Sequence, residues 1–164
     1  MLSLTACVVG RNHTSDASLQ RNFLRHEAEF ETLLRDVTAD EKLQMLRPHA
    51  LRYAGATVWN PVSISEVERV GLSRERWEKY QRQLRELGLA QVTKGGGGVE
   101  FTVDQASIWN GDSVKGYWYA LVEPGPPKAS LDSYRLSASY KNRFGGSLVS
   151  KPIRPNWYLY LFVN

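Results

Sequence analysis

The sequence predicts an α+β fold: N-terminal helices, then a helix-turn-helix-hairpin unit, then a C-terminal antiparallel sheet rich in aromatic residues. Three observations carry this expectation. Leu19, Phe23, Phe30, Leu33, Leu34 and Val37 recur at helical spacing and make one apolar face. The run Gly95-Gly96-Gly97-Gly98 separates two short apolar stretches, the second of which alternates strictly. Residues 115–164 hold ten of the eighteen aromatic residues in the chain.

The elements follow in order. A first helix is expected from Ser15 or Asp16 to about Asp36, with Glu27, Glu29 and Glu31 on its wet face. Thr38 and Glu41 have capping-box spacing, which predicts a second short helix through Leu46, stopped by Pro48. Arg52 to Asn60 reads as a loop or short strand. Ser63 and Glu66 form another capping box for a helix that ends at Gly71. Ser73 caps the next helix, where Leu72 can staple to Trp77 and where Trp77, Tyr80, Leu84 and Leu87 share a face. Gly88 is the expected left-handed residue past its end. Leu89 to Thr93 and Val99 to Val103 then form a hairpin across the glycines. Val114 to Val122 and Trp157 to Val163 read as strands, with one more strand, or a pair of short ones, between Tyr134 and Phe144. Along the last strand Trp157, Leu159, Leu161 and Val163 face one way and Tyr158, Tyr160 and Phe162 the other. Core packing on both faces is the expectation, with a row of rings open to a partner or sugar chain as the alternative.

Composition bounds the rest. The chain has 164 residues, 42% hydrophobic and 23% charged, enough for an ordinary core without staples. No stretch approaches the roughly 18–20 apolar residues of a membrane-spanning helix. A single cysteine, Cys7, excludes an internal disulfide. The organisation expected is a short N-terminal signal and tether over 1–15 and one α+β domain over 16–164.

Ser63 to Val103 resembles a winged helix: short helix, turn, longer helix, hairpin. In that family the second helix enters the major groove and basic side chains grip phosphates. The resemblance covers residues 63–104 and would make Arg74, Arg76, Lys79 and Arg82 the nucleic-acid contacts. The same helix carries Glu75, Glu78 and Glu86, and the hairpin is net acidic through Glu100 and Asp104. Of the net charge of +4, residues 105–164 hold +4, residues 65–94 hold +2 and residues 95–104 hold −2. The excess lies outside the reading head, so the pattern is expected as scaffold, without a nucleic-acid partner.

Leu4-Thr5-Ala6-Cys7 resembles the bacterial lipobox, an aliphatic residue and two small ones before a cysteine that is acylated and becomes the mature first residue. Three such matches before a given cysteine arise by chance about once in a hundred at average composition. The bland alternative is a small buried hydrophobe. A working signal has a charged start and 7–15 apolar residues. Only six residues precede Cys7, none of them Lys or Arg, so the lipobox reading expects the rest of the signal upstream of Met1. On that reading the protein is lipid-anchored at a bacterial membrane and faces the periplasm; otherwise it is cytoplasmic.

Lys115-Gly116-Tyr117-Trp118-Tyr119, a proline cluster, Ser130-Leu131-Asp132 and a final Asn156-Trp157-Tyr158-Leu159-Tyr160 resemble a group of small uncharacterised bacterial lipoproteins. The resemblance runs from about Leu87 to Tyr160. This chain departs from it by an insertion, Lys141 to Pro155, and by an end without acids. It implies membrane lipid as a partner through Cys7, and an envelope protein or glycan as a further one. No activity comes with it.

Catalytic and cofactor motifs fail in turn. His26-Glu27-Ala28-Glu29-Phe30 begins like a zinc-protease helix but has Phe30 where the second histidine must be. His13 and His49 lack Cys or carboxylate at ligand spacing, so neither a metal nor another cofactor is expected. The tetraglycine lacks the Lys-Ser/Thr of a phosphate loop, and no Gly-x-Ser-x-Gly elbow occurs. The sequence recommends no enzyme and names no catalytic residue.

Overall fold

The computed structural model describes residues 13–59, 63–95, 97–108, 111–134 and 146–164. The elements are α1 Asp16–Arg25, α2 Glu27–Ala39, β1 Leu43–Arg47, β2 Ala50–Tyr53, β3 Ala56–Val58, α3 Ile64–Arg69, α4 Arg74–Leu87, β4 Gln91–Gly95, β5 Gly98–Ile108, β6 Gly111–Ala120, β7 Ser147–Arg154 and β8 Trp157–Val163. The class is α+β. The chain forms two compact units, one of residues 22–102 and one of residues 1–21 with 103–164. Both α1 and β5 run from one unit into the other.

The unit of residues 22–102 packs helices on a sheet of order β3-β2-β1-β4-β5. The apolar stripe of α2 buries Phe30, Leu33, Leu34 and Val37. Phe30 stacks against Phe23 at 5.3 Å and meets Phe101 edge-on at 6.0 Å. α3 opens with the Ser63–Glu66 capping box and α4 with Ser73, whose hydroxyl accepts from Arg76 N. α4 ends at Gly88 with φ of 66°, a left-handed position where glycine lacks the Cβ penalty. Leu72, Trp77, Tyr80, Leu84 and Leu87 are buried, as the staple and stripe require.

Two expectations here are corrected. The first helix is two helices, interrupted at His26, whose φ of −118° and ψ of 27° are not helical. The apolar stripe runs on across the break, so periodicity conceals it. The second helix, predicted over Thr38 to Leu46, is strand β1, and α2 runs on to Ala39. A bulge between Leu43 and Met45 brings Leu43 and Leu46, both buried and three residues apart, to one face, which imitates helical spacing. In the segment Arg52 to Asn60, the described residues 52–59 hold the end of β2 and all of β3, joined at Ala54 and Gly55 with φ of 51° and 81°. That is a two-residue hairpin turn with both central residues left-handed.

The unit of residues 1–21 and 103–164 has the order β5-β6-β8-β7. β8 pairs antiparallel with both β6 and β7. One face buries Leu19, Tyr117, Leu131, Leu159 and Leu161. The other buries Trp118, Ala120 and Tyr160, with Val114, Leu148 and Phe162 packed against them. Trp118 and Tyr160 meet edge-to-face at 5.6 Å. Core packing on both faces of β8 therefore holds, with Tyr158 and Phe162 half-buried. β6 stops at Ala120 rather than Val122, and Leu121 and Val122 are 77% and 79% exposed. β7 occupies most of the segment read as an insertion. Its proline, Pro152, lies in the last strand of the order, beside a bulge. The strand expected over Tyr134 to Phe144 falls almost wholly outside the described residues.

Candidate functional site

The site with the densest polar chemistry lies where residues 13–16 run along β6. Strand alternation puts Ser113, Lys115 and Tyr117 of β6 on one face. β5 supplies Asp104, the segment before β7 supplies Asp132, and β7 supplies Lys151.

Asp104 receives His13 Nδ1 on Oδ1 and Thr14 N on Oδ2 at 2.8 Å. His13 Nε2 lies 2.7 Å from Ser113 Oγ. Burial raises the Asp104 carboxyl, but the bonds from His13 and Thr14 outweigh it and hold the group below its ordinary range. The order carboxylate, imidazole, hydroxyl is that of a serine nucleophile and its base. The surroundings oppose that use. Ser113 is fully buried, with 0% exposure, and its hydroxyl also donates to Ala106 O at 3.2 Å. One hydroxyl proton cannot serve both Ala106 and the imidazole. While it points at Ala106, Oγ only accepts from Nε2, and no base activates it. The trio clamps residues 13 and 14 to β5 and β6.

One turn on, Asp16 begins α1. Its backbone N donates to both oxygens of Asp132 at 3.0 Å, so Asp132 satisfies an otherwise orphaned helix N–H. Its carboxylate Oδ2 accepts from Leu131 N at 2.8 Å. Lys115, with 0% exposure, places Nζ 2.6 Å from Asp132 Oδ1 and 2.8 Å from Asp16 Oδ1. The second contact is an ion pair by distance but not a directed hydrogen bond. Lys151 Nζ stands 3.4 Å from Asp16 Oδ2. Burial raises the Asp16 carboxyl, and the Lys115 ammonium beside it, the Leu131 bond and the Lys151 charge more than reverse this, leaving it below its ordinary range. Tyr117 Oη completes the row by donating to Leu19 O at 2.9 Å.

The expected site residues stand as follows. Cys7 lies outside the described residues. His13 and Thr14, read as tether, are bonded as above. In the other unit, Arg74 pairs with Glu78 at 2.8 Å on the open face of α4. Arg76 turns back to Asp40 at 3.4 Å and lies 5.9 Å over the Tyr80 ring. Lys79 turns back to Asp36 at 2.7 Å. Burial and the Asp40 charge push Tyr80 up to about 12. Arg82 is exposed. Two of the four cations named for a nucleic-acid interface thus hold α4 to α2 and the residue after it. Among the described residues, no group of three His, Cys, Asp or Glu is placed to hold a metal ion, and no helix is long and apolar enough to cross a membrane.

Sequence reasoning missed the cluster because its members are far apart. His13 finds Asp104 and Ser113 at separations of 91 and 100 residues. The available signal was weak: a lysine, Lys115, alternating with Ser113 and Tyr117 in an aromatic strand otherwise suited to burial.

No family model, no curated protein and no solved structure matches this chain.

Proposed function

We propose that this chain is a lipid-anchored bacterial envelope protein, acylated at Cys7 and facing the periplasm, whose α+β body is a binding or scaffold module. The observation that carries the reading is Leu4-Thr5-Ala6-Cys7, three lipobox residues before the single cysteine. The C-terminal resemblance points the same way. The geometry adds a mechanical support. Residues 13–16 are fixed by His13, Thr14 and Asp16 to the unit that contains them. Six peptide steps from Cys7 to His13 reach about 20 Å when extended, so an acyl group at Cys7 would hold that unit close to a bilayer. A diacylglyceryl group supplies the two chains that stable anchoring needs.

Metabolic labelling with a radioactive fatty acid tests this, with the gene expressed together with its upstream sequence. Label is expected on the wild type and lost in Cys7→Ser. An unlabelled wild type, or equal label on the variant, removes the reading.

The alternative is a cytosolic winged-helix regulator, favoured by the succession of α3, α4, β4 and β5. The ion pairs that turn Arg76 and Lys79 inward count against it. It requires salt-sensitive DNA binding that weakens on neutralising Arg74 and Arg82. A gel shift without binding at low salt removes it.

A further inference from the structure

We propose that Lys115 and Asp132 condense within the folded chain to form an isopeptide bond. Lys115 Nζ is sealed from solvent and sits 2.6 Å from Asp132 Oδ1. Nζ donates a hydrogen bond to that oxygen, and this contact replaces a bimolecular encounter; aligned intramolecular groups reach effective molarities of about 10⁵–10⁸ M.

Three placements make Asp132 the acceptor and Asp16 the proton relay. Both Asp132 oxygens face the backbone N–H of Asp16 at 3.0 Å, a donor already aimed where charge gathers as the carboxyl carbon becomes tetrahedral. Asp16 Oδ2 is engaged by Leu131 N and Lys151, whereas Oδ1 lies 2.8 Å from Nζ and makes no directed hydrogen bond. At that distance Oδ1 is within reach of a proton from the ammonium once an N–H turns toward it. Asp132 itself is 36% exposed, which gives a departing water its exit.

The step balances without a co-reactant. The Lys115 ammonium passes one proton to Asp16 Oδ1, and the neutral nitrogen forms a bond to Asp132 Cγ. One carboxyl oxygen takes up the charge facing Asp16 N–H. The proton on Asp16 and a second proton from the nitrogen pass to the other oxygen, the carbon–oxygen bond breaks, and water leaves. Ammonium and carboxylate become amide and water. The event happens once per chain, so a weak relay base suffices.

Intact mass under denaturing conditions tests this on the full chain. The folded wild type is expected one water lighter than its sequence, and peptide mapping should yield a branched peptide joining Lys115 to Asp132. Lys115→Arg should return the full sequence mass. Asp16→Asn should slow the loss of water by on the order of a hundredfold, the usual worth of a positioned proton carrier. A wild-type mass equal to the sequence mass after prolonged incubation of the folded protein overturns the proposal, whatever the variants do. So does a water-light chain without the branched peptide, as a succinimide at Asp132-Ser133 would give. A branch from Lys115 to Asp16 overturns the assignment of the acceptor.

Discussion

Truncating His13 should loosen the attachment of residues 13–16 by an amount the contacts allow to be worked out. His13→Ala removes a hydrogen bond to an ionised carboxylate, about 1.5–3 kcal/mol, and one to a neutral hydroxyl, about 1 kcal/mol. The His13 side chain is 0% exposed and that of Asp104 27%, so partial screening favours the lower half of the first range. The single variant should therefore lose roughly 2.5–3 kcal/mol. Asp104→Ala removes the same charged bond and the bond from Thr14 N, and should lose a similar amount. The shared bond is counted once in the double variant, which gives a coupling of about 1.5–2 kcal/mol. Urea unfolding of the four proteins, with equal m-values, reads it directly. Hydrogen exchange at the Thr14 amide should accelerate in Asp104→Ala, which removes its acceptor. Additivity within about 0.5 kcal/mol would show that the two residues merely lie side by side and refute the clamp.

Three further outcomes follow from other positions. Asp16 and Asp104 have carboxyls held below their ordinary range, so their contribution is complete above the unfolded value, about pH 4, and is lost as pH falls from there through the folded values; urea midpoints should drop below pH 4, and less steeply in Asp104→Asn. Burial alone raises the Glu100 carboxyl, so its charged form strains the fold above that raised value. Glu100→Gln should stabilise at neutral pH, with the gain vanishing as pH falls through the raised value, and a loss at pH 7 would contradict this. A Cβ at Gly125 would stand 2.8 Å from Leu148 O, a backbone atom that cannot rotate away, so Gly125→Ala should lose about 1–3 kcal/mol in urea unfolding.

Much of the local structure could be read from residue order, and the reasons are specific. Ser63 with Glu66, Ser73 and Gly88 carry cap chemistry that acts over three or four residues, so α3 and α4 were placed closely. Trp157 to Val163 is so rich in aromatic and β-branched types that β8 matched end to end. β1 reads as a helix because a bulge brings Leu43 and Leu46 to one face three residues apart, and the capping pair Thr38–Glu41 lends a helix false support. β7 was hidden by Pro152 and its lysine and serines, which an edge position tolerates. The polar cluster was invisible for a deeper reason. Periodicity and capping report on near neighbours, while Asp16 meets Asp132 and Lys151 across 116 and 135 residues.

Those separations also set an order of events as the chain is made. Residues 22–102 are contiguous and can assemble while the ribosome is still working. Residues 13–16 cannot, because their partners, from Asp104 to Lys151, lie 90 to 135 residues further along the chain. At roughly 5–20 residues per second they wait on the order of ten seconds with Asp16 unpaired and Leu19 uncovered. Closing so long a loop adds little to the final free energy, since its entropy grows only with the logarithm of length, but it slows the search. Residues 13–16 are thus among the last parts to settle, and a factor that must reach them has that interval in which to act.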